Sequence, residues 1–143
     1  MAVGRVLIAR VENTLIALEG AVTRQVTALE RITPIPRAPR TLLGLVSVGG
    51  EVMPLIDLGA ALELPQEGFA PPYAVVVEYA GDRWALALEE VLGFGPSATE
   101  LGPTPFPLPG SLSRHTQGVL EHGGQTVYLL SLRLLEALNL TSV

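Results

Sequence analysis

Four pairs of aliphatic runs, each joined by a turn of two or three residues, constrain this chain more than any other feature. Residues 5–11 (R-V-L-I-A-R-V) and 14–18 (T-L-I-A-L) flank Glu12-Asn13. Residues 43–48 and 51–57 flank Gly49-Gly50, residues 73–79 and 83–88 flank Ala80-Gly81-Asp82, and residues 117–122 and 125–130 flank Gly123-Gly124. A two-residue hairpin turn needs backbone with positive φ, which Gly and Asn adopt at least cost, so these dipeptides between aliphatic runs are hairpin signals. Four hairpins in 143 residues predict an all-β chain. Helical periodicity is scarce: short helices are expected at Asp57–Leu64, at Glu89–Leu92, and at Leu132–Leu140, where Leu134, Leu135 and Leu138 form an apolar stripe. Pro65–Pro72 reads as a linker and Pro96–Pro109 as a long surface loop.

The hairpins belong to an internal repeat. Residues 44–58 (G-L-V-S-V-G-G-E-V-M-P-L-I-D-L) align without a gap with residues 118–132 (G-V-L-E-H-G-G-Q-T-V-Y-L-L-S-L), and three Gly and two Leu coincide. Upstream, A-L-E-G-A-V at 17–22 resembles A-L-E-E-V at 87–91, with one residue of slippage. A motif present twice, at a wide spacing, suggests a pseudo-twofold pair of lobes and not a solenoid. The expected lobes within a single domain spanning 1–143 are residues 13–64 and 72–131, followed by a C-terminal helix and tail at 132–143.

Two absences narrow the chemistry. There is no Cys, which removes disulfides, thiolate nucleophiles and Cys-based zinc sites. All nine basic residues are Arg, so Schiff-base and P-loop lysines are removed as well. The net charge of −5 argues against a nucleic-acid partner. Residues 22–41 nevertheless hold Arg24, Arg31, Arg37 and Arg40 against Glu30, a local +3 that reads either as a solvated face or as a contact for an acidic partner. Arg5 and Arg10 break the first apolar stretch, and no run of 18 apolar residues occurs, so a soluble cytoplasmic protein without membrane insertion is expected.

The run I-T-P-I-P-R-A-P-R-T-L-L-G-L-V-S-V-G-G-E-V-M-P-L-I-D-L at 32–58 resembles the signature segment of CheW-like domains. The later pieces Y-A-V-V-V-E-Y, W-A-L-A-L-E-E-V-L-G-F and G-V-L-E-H-G-G-Q-T-V-Y-L-L-S-L extend the resemblance over roughly residues 5–140. It implies two small five-stranded, SH3-like β barrels side by side. It also implies a non-catalytic adaptor, without cofactor or metal, that couples a CheA-like chemosensory histidine kinase to the cytoplasmic tip of a methyl-accepting receptor, recruited to receptor arrays at the membrane. By the same resemblance, Thr23, Val26, Val91 and Leu92 match the receptor-binding groove. Val48 and Met53 are candidates for the kinase surface.

The chain departs from the family pattern at charged positions. Gly49 stands where the family usually has Arg, and Gln25 where it usually has Glu. Ser131 replaces a usual Asp, and Glu89 another. Loss of both charged positions together suggests altered partner pairing at Gln25 and Gly49, and a system governing pilus-driven motility is as plausible as one serving ordinary chemotaxis receptors.

Other residues have structural readings. Gly49, Gly50, Gly123 and Gly124 are turn residues, since no Lys or helix follows to make a phosphate cradle. Asp57 is expected to cap a short helix. Trp84 is expected in the core or a groove wall, and His115 and His122 lack the partners a metal site needs. Two further classes remain on paper. One is a hydrolase drawing a triad from Ser111 or Ser113, His115 and Asp82. The other is a small ligand-binding β barrel with a closed apolar cavity.

Overall fold

The computed structural model of the protein describes residues 2–66 and 70–138. The strands in chain order are β1 (Ala2–Val3), β2 (Val6–Val11), β3 (Thr14–Glu19), β4 (Thr23–Ala28), β5 (Leu42–Val48), β6 (Glu51–Ile56), β7 (Tyr73–Tyr79), β8 (Asp82–Leu88), β9 (Glu90–Phe94), β10 (Thr99–Glu100), β11 (Thr116–His122) and β12 (Gln125–Leu130). Among the described residues, helix is confined to α1 (Leu58–Ala61), α2 (Leu112–His115) and two 3₁₀ turns, Gly20–Val22 and Leu132–Ala137. All four expected hairpins form. Their central residues have positive φ: 48° and 63° at Glu12-Asn13, 59° and 84° at Gly49-Gly50, 54° and 85° at Ala80-Gly81, and 58° and 78° at Gly123-Gly124. Two successive left-handed residues give the turn a twist that matches the strands it joins.

The strands form two five-stranded sheets, in the orders β11-β12-β3-β2-β9 and β4-β7-β8-β6-β5, with β1 and β10 paired separately. Strand pairing leaves each sheet with two edge strands, and hydrogen bonding among the described residues does not join them into the expected five-stranded barrels. The expected lobes 13–64 and 72–131 are not the sheets either. The first sheet takes β2 and β3 from the N-terminal half and β9, β11 and β12 from the C-terminal half; the second takes the reverse. Each half is the same series: a hairpin, a single strand, then a Gly-Gly hairpin. The halves exchange their leading hairpins, which are held by parallel pairing, Leu55 to Ala85 in one sheet and Leu129 to Ala17 in the other. Ala17 therefore corresponds to Ala85, not to Ala87 as the aligned A-L-E strings suggest.

The exchange explains the aliphatic runs. Each sheet is covered on both faces, so its central strands are apolar without alternation. From β2, Leu7, Ala9 and Val11 enter a central core between the sheets, while Val6 and Ile8 enter a separate cluster with Leu120, Val127 and Leu129. From β7 and β8, Val75, Val77, Leu86 and Leu88 enter the central core, while Ala74, Val76, Ala85 and Ala87 pack with Val46, Met53 and Leu55. Leu58, Leu62, Leu112, Leu132, Leu134 and Leu135, from the short helices, close the central core.

The three shared glycines each have a physical reason. Gly49 and Gly123 open the left-handed turns, with Gly50 and Gly124 completing them. Gly44 and Gly118 sit at the irregular start of their hairpins, where β5 and β11 shift register. There the preceding linker crosses and bridges the next residue, Thr33 to Leu45 and Gly102 to Val119. A Cβ at Gly44 would lie 2.3 Å from the Thr33 carbonyl oxygen, and one at Gly118 would lie 2.9 Å from that of Gly102.

Two local expectations need correction, and a third holds. Glu89–Leu92 is not helical; β9 begins at Glu90 and pairs with β2. The Leu132–Leu140 helix is a 3₁₀ turn over Leu132–Ala137, and residues 139–143 lie outside the described residues. The capping expectation for Asp57 holds: its Oδ1 accepts from the Ala60 N–H at 3.1 Å. Ser131, the matching residue of the second half, accepts from the Arg133 N–H at 3.3 Å. The serine thus performs the task of the usual Asp. Asp57→Ala and Ser131→Ala are each expected to lower stability by about 1 kcal/mol, and Ser131→Asp to leave it unchanged or raise it slightly, as read from urea midpoints.

Candidate functional site

The four groove candidates lie on strands that end each sheet. Thr23 and Val26 are on β4, paired with Val77 and Val75 of β7. Val91 and Leu92 are on β9, where Val91 pairs with Ala9 of β2. The two strands are equivalent under the internal repeat, and each carries a register shift, between Thr23 and Gln25 in β4 and opposite Ile8 and Ala9 in β9. Val26 is 38% exposed, an apolar side chain at a sheet edge. Val91 and Leu92 are half-buried against the central core and the first-sheet cluster, so they serve as packing residues as well as surface. Exposed ion pairs fasten both strands to their neighbours: Arg24 to Glu78 at 2.7 Å and Arg10 to Glu90 at 2.6 Å. Arg24 is thus removed from the surplus of cations in residues 22–41. Such surface pairs hold geometry more than they stabilise.

The kinase-surface candidates divide. Gln25 and Gly49 are exposed, and Gly49 stands at the tip of the β5–β6 turn with open space where a side chain would go. Val48 is half-buried against the second-sheet cluster. Met53 is not surface at all: at 2% exposure it belongs to that cluster, and its assignment as a contact residue is withdrawn. Side chains alternate along a strand, so burying Met53 turns its neighbour outward. That neighbour, Val52, is 64% exposed, and the period of two could have identified it. Phe106, at 85% exposure in the proline-rich loop, is a second exposed apolar residue missing from the sequence-based candidates.

The seam between the sheets is fixed by backbone-to-carboxylate contact. Glu89 Oε1 accepts from the Glu12 N–H, tying the β2–β3 turn to the end of β8. Glu89 therefore has structural work at the position where Asp is usual. Trp84 packs half-buried against the central core, and its Nε1 has no hydrogen-bond partner among the described residues.

The residues of the paper triad have other occupations. Ser111 Oγ donates to the Ala61 carbonyl at 3.3 Å, and Ser113 Oγ accepts from the Leu108 N–H at 3.2 Å. Burial, followed by the Arg114 charge, lowers the pKa of His115. Among the described residues, neither serine is hydrogen-bonded to His115, and no three His, Asp or Glu side chains gather as a metal ion would need. No described helix is long and apolar enough to cross a membrane.

A cleft of about 410 Å³ lies beside the second sheet and is lined by Thr27–Arg31, Thr33, Leu45–Val48 and Val52. A second, of about 380 Å³, lies at the seam and includes Val11, Leu43, Asp57 and Glu89. Both are open to solvent, unlike the closed cavity of a small-molecule barrel.

A solved structure with this fold is that of the scaffolding protein TtCheW from Thermoanaerobacter tengcongensis, with a TM-score of 0.81, 20% identity, and coverage of 93% of this chain and 92% of that one. At that identity the likeness establishes the fold. No curated protein matches the sequence. The sequence matches the CheW-like domain family over residues 5–139, nearly its whole length, and the chain belongs to that family.

Proposed function

We propose that this protein is a non-catalytic adaptor that holds a chemosensory histidine kinase and a receptor tip in a fixed relation. The observation that carries the reading is the family match over residues 5–139. Two edge strands, each bearing an aliphatic residue, suit an adaptor. A protein of this kind acts by position. A change in the receptor biases kinase activity only if the adaptor makes different contacts in the two receptor states. The receptor side is assigned to Thr23, Val26, Val91 and Leu92, and the kinase side to Val48 and the neighbouring exposed Val52. A chain tagged and recovered from its own cell extract should bring a histidine kinase with it. Recovery of neither kinase nor receptor at any salt concentration would remove the reading.

Gln25 and Gly49 make the pairing specific. Both are exposed and uncharged where the family usually carries opposite charges. Gly49→Arg places an unpaired guanidinium at the hairpin tip, in open space but at a φ of 59°, which costs about 1 kcal/mol of fold stability. That is too little to unfold a domain of this size. Kinase binding by Gly49→Arg is expected to fall about tenfold, with partial recovery in the double variant Gln25→Glu/Gly49→Arg. Titration of both variants with the same kinase reads this directly, and equal affinity for Gly49→Arg and the unaltered chain would contradict altered pairing.

A further inference from the structure

The cleft of about 410 Å³ beside the second sheet lies between the two edges of that sheet, because one wall is the end of β4 and its continuation, Thr27–Arg31, and the other is β5, Leu45–Val48. The direction of the main-chain groups on each wall follows from the ladder. Leu45 exchanges both its backbone bonds with Thr33, at 2.8 and 2.9 Å, on the side away from β6. Its β6 partner is Pro54, which has no N–H to offer. Backbone groups two residues apart along a strand point the same way. The N–H and C=O of Ser47 therefore also face away from β6, into the cleft, beyond the point where Thr33 covers the edge. On the opposite wall Leu29 donates to the Pro72 carbonyl at 2.8 Å, toward β7. Ala28, its neighbour, turns the other way, and among the described residues its carbonyl takes only a local bond from Thr27 Oγ1 at 3.3 Å.

The cleft thus presents donors and acceptors from two edges of one sheet, on β5 only beyond the Thr33 bridge. An extended backbone offers complementary donors and acceptors. The walls also supply side-chain determinants. Val52 is 64% exposed, Val48 is half-buried, and Arg31 has no carboxylate partner among the described residues. Glu30 lines the same cleft; with Arg24 tied to Glu78, Arg31, Arg37 and Arg40 against Glu30 leave a surplus of +2 in residues 22–41.

We infer that this cleft is a strand-addition site: it takes an extended segment of a partner protein, apolar at alternate positions and with an acidic residue beside Arg31, which pairs with Ser47 of β5. The inference rests on main-chain geometry, and it shares Val48 and Val52 with the kinase side proposed above; peptide binding and kinase recovery are read separately.

The test uses the full chain and a blocked pentapeptide, Val-Glu-Val-Glu-Val, acetylated and amidated. Amide exchange followed by NMR should show the Ser47 N–H slowed on adding peptide at about millimolar concentration, a range suited to a short unoptimised strand. Ser47→Pro removes that N–H at an edge position, where proline is tolerated, and should weaken binding about tenfold. Val52→Asp, on an exposed side chain, should do the same without altering the fold. A peptide with Lys in place of Glu should bind more weakly than the parent peptide. Unchanged Ser47 exchange, or equal binding by both variants, overturns the inference. Protection of Ser47 that grows with protein concentration in the absence of peptide also overturns it, by assigning the edge to a second copy of the chain.

Discussion

Gly44→Ala is expected to cost about 3 kcal/mol or more, one of the largest effects of any single added methyl group. Two costs act together. The residue has a φ of 150°, a conformation L side chains rarely adopt, and its Cβ would lie 2.3 Å from the Thr33 carbonyl oxygen. That oxygen cannot withdraw easily, because it accepts the Leu45 N–H at 2.8 Å. Gly118→Ala, without a positive φ and with its nearest atom at 2.9 Å, should cost less, about 1 to 2 kcal/mol. Gly49→Ala meets nothing within 4 Å and should cost only the left-handed penalty, about 1 kcal/mol. Urea midpoints for the three variants test the order. Equal costs at Gly44 and Gly49 would mean that the linker does not press on β5 as described.

The second large effect is at Ile56. It is fully buried at the end of β6 in the core between the sheets, so Ile56→Ala is expected to cost about 3 kcal/mol. Its consequence should not stay in its own sheet. Ile56 shares the central core with Leu7, Ile16 and Leu18 of the other sheet, and the leading hairpins are exchanged between halves. Amide exchange should therefore accelerate in β2 and β3 as much as in β7 and β8, through a single unfolding transition. Acceleration confined to β4–β8 would show that the sheets unfold independently. Val52→Ala, on the exposed face of the same strand, should change stability by less than about 0.5 kcal/mol.

What was legible in the sequence was local. The hairpins and their left-handed turns depend on dipeptides such as Gly49-Gly50, and the repeat was carried by Gly44 and Gly118 as well as by the turns. Partition of strands between sheets depends on pairings of distant residues, such as Leu129 with Ala17, and no local pattern records them. Strand β4 (T-R-Q-V-T-A) escaped because it is a largely exposed edge with little alternation. Glu89–Leu92 reads as a short helix, whereas in the fold Glu89 holds the Glu12 N–H and Glu90, at the start of β9, meets Arg10. At the site, Thr23 and Val26 were found at a sheet edge. Met53 is buried and its neighbour Val52 exposed, because a step of one residue moves a side chain from one face of the strand to the other.

The most direct measurement of the coupling role is reconstitution of the signalling unit: kinase autophosphorylation followed with receptor-bearing membranes, in the presence and absence of this chain. The kinase should respond to receptor ligand only when the chain is present. Val26→Asp, on an exposed edge residue, should abolish that response while leaving kinase binding intact. Receptor control of the kinase that is the same with and without the chain would contradict the account.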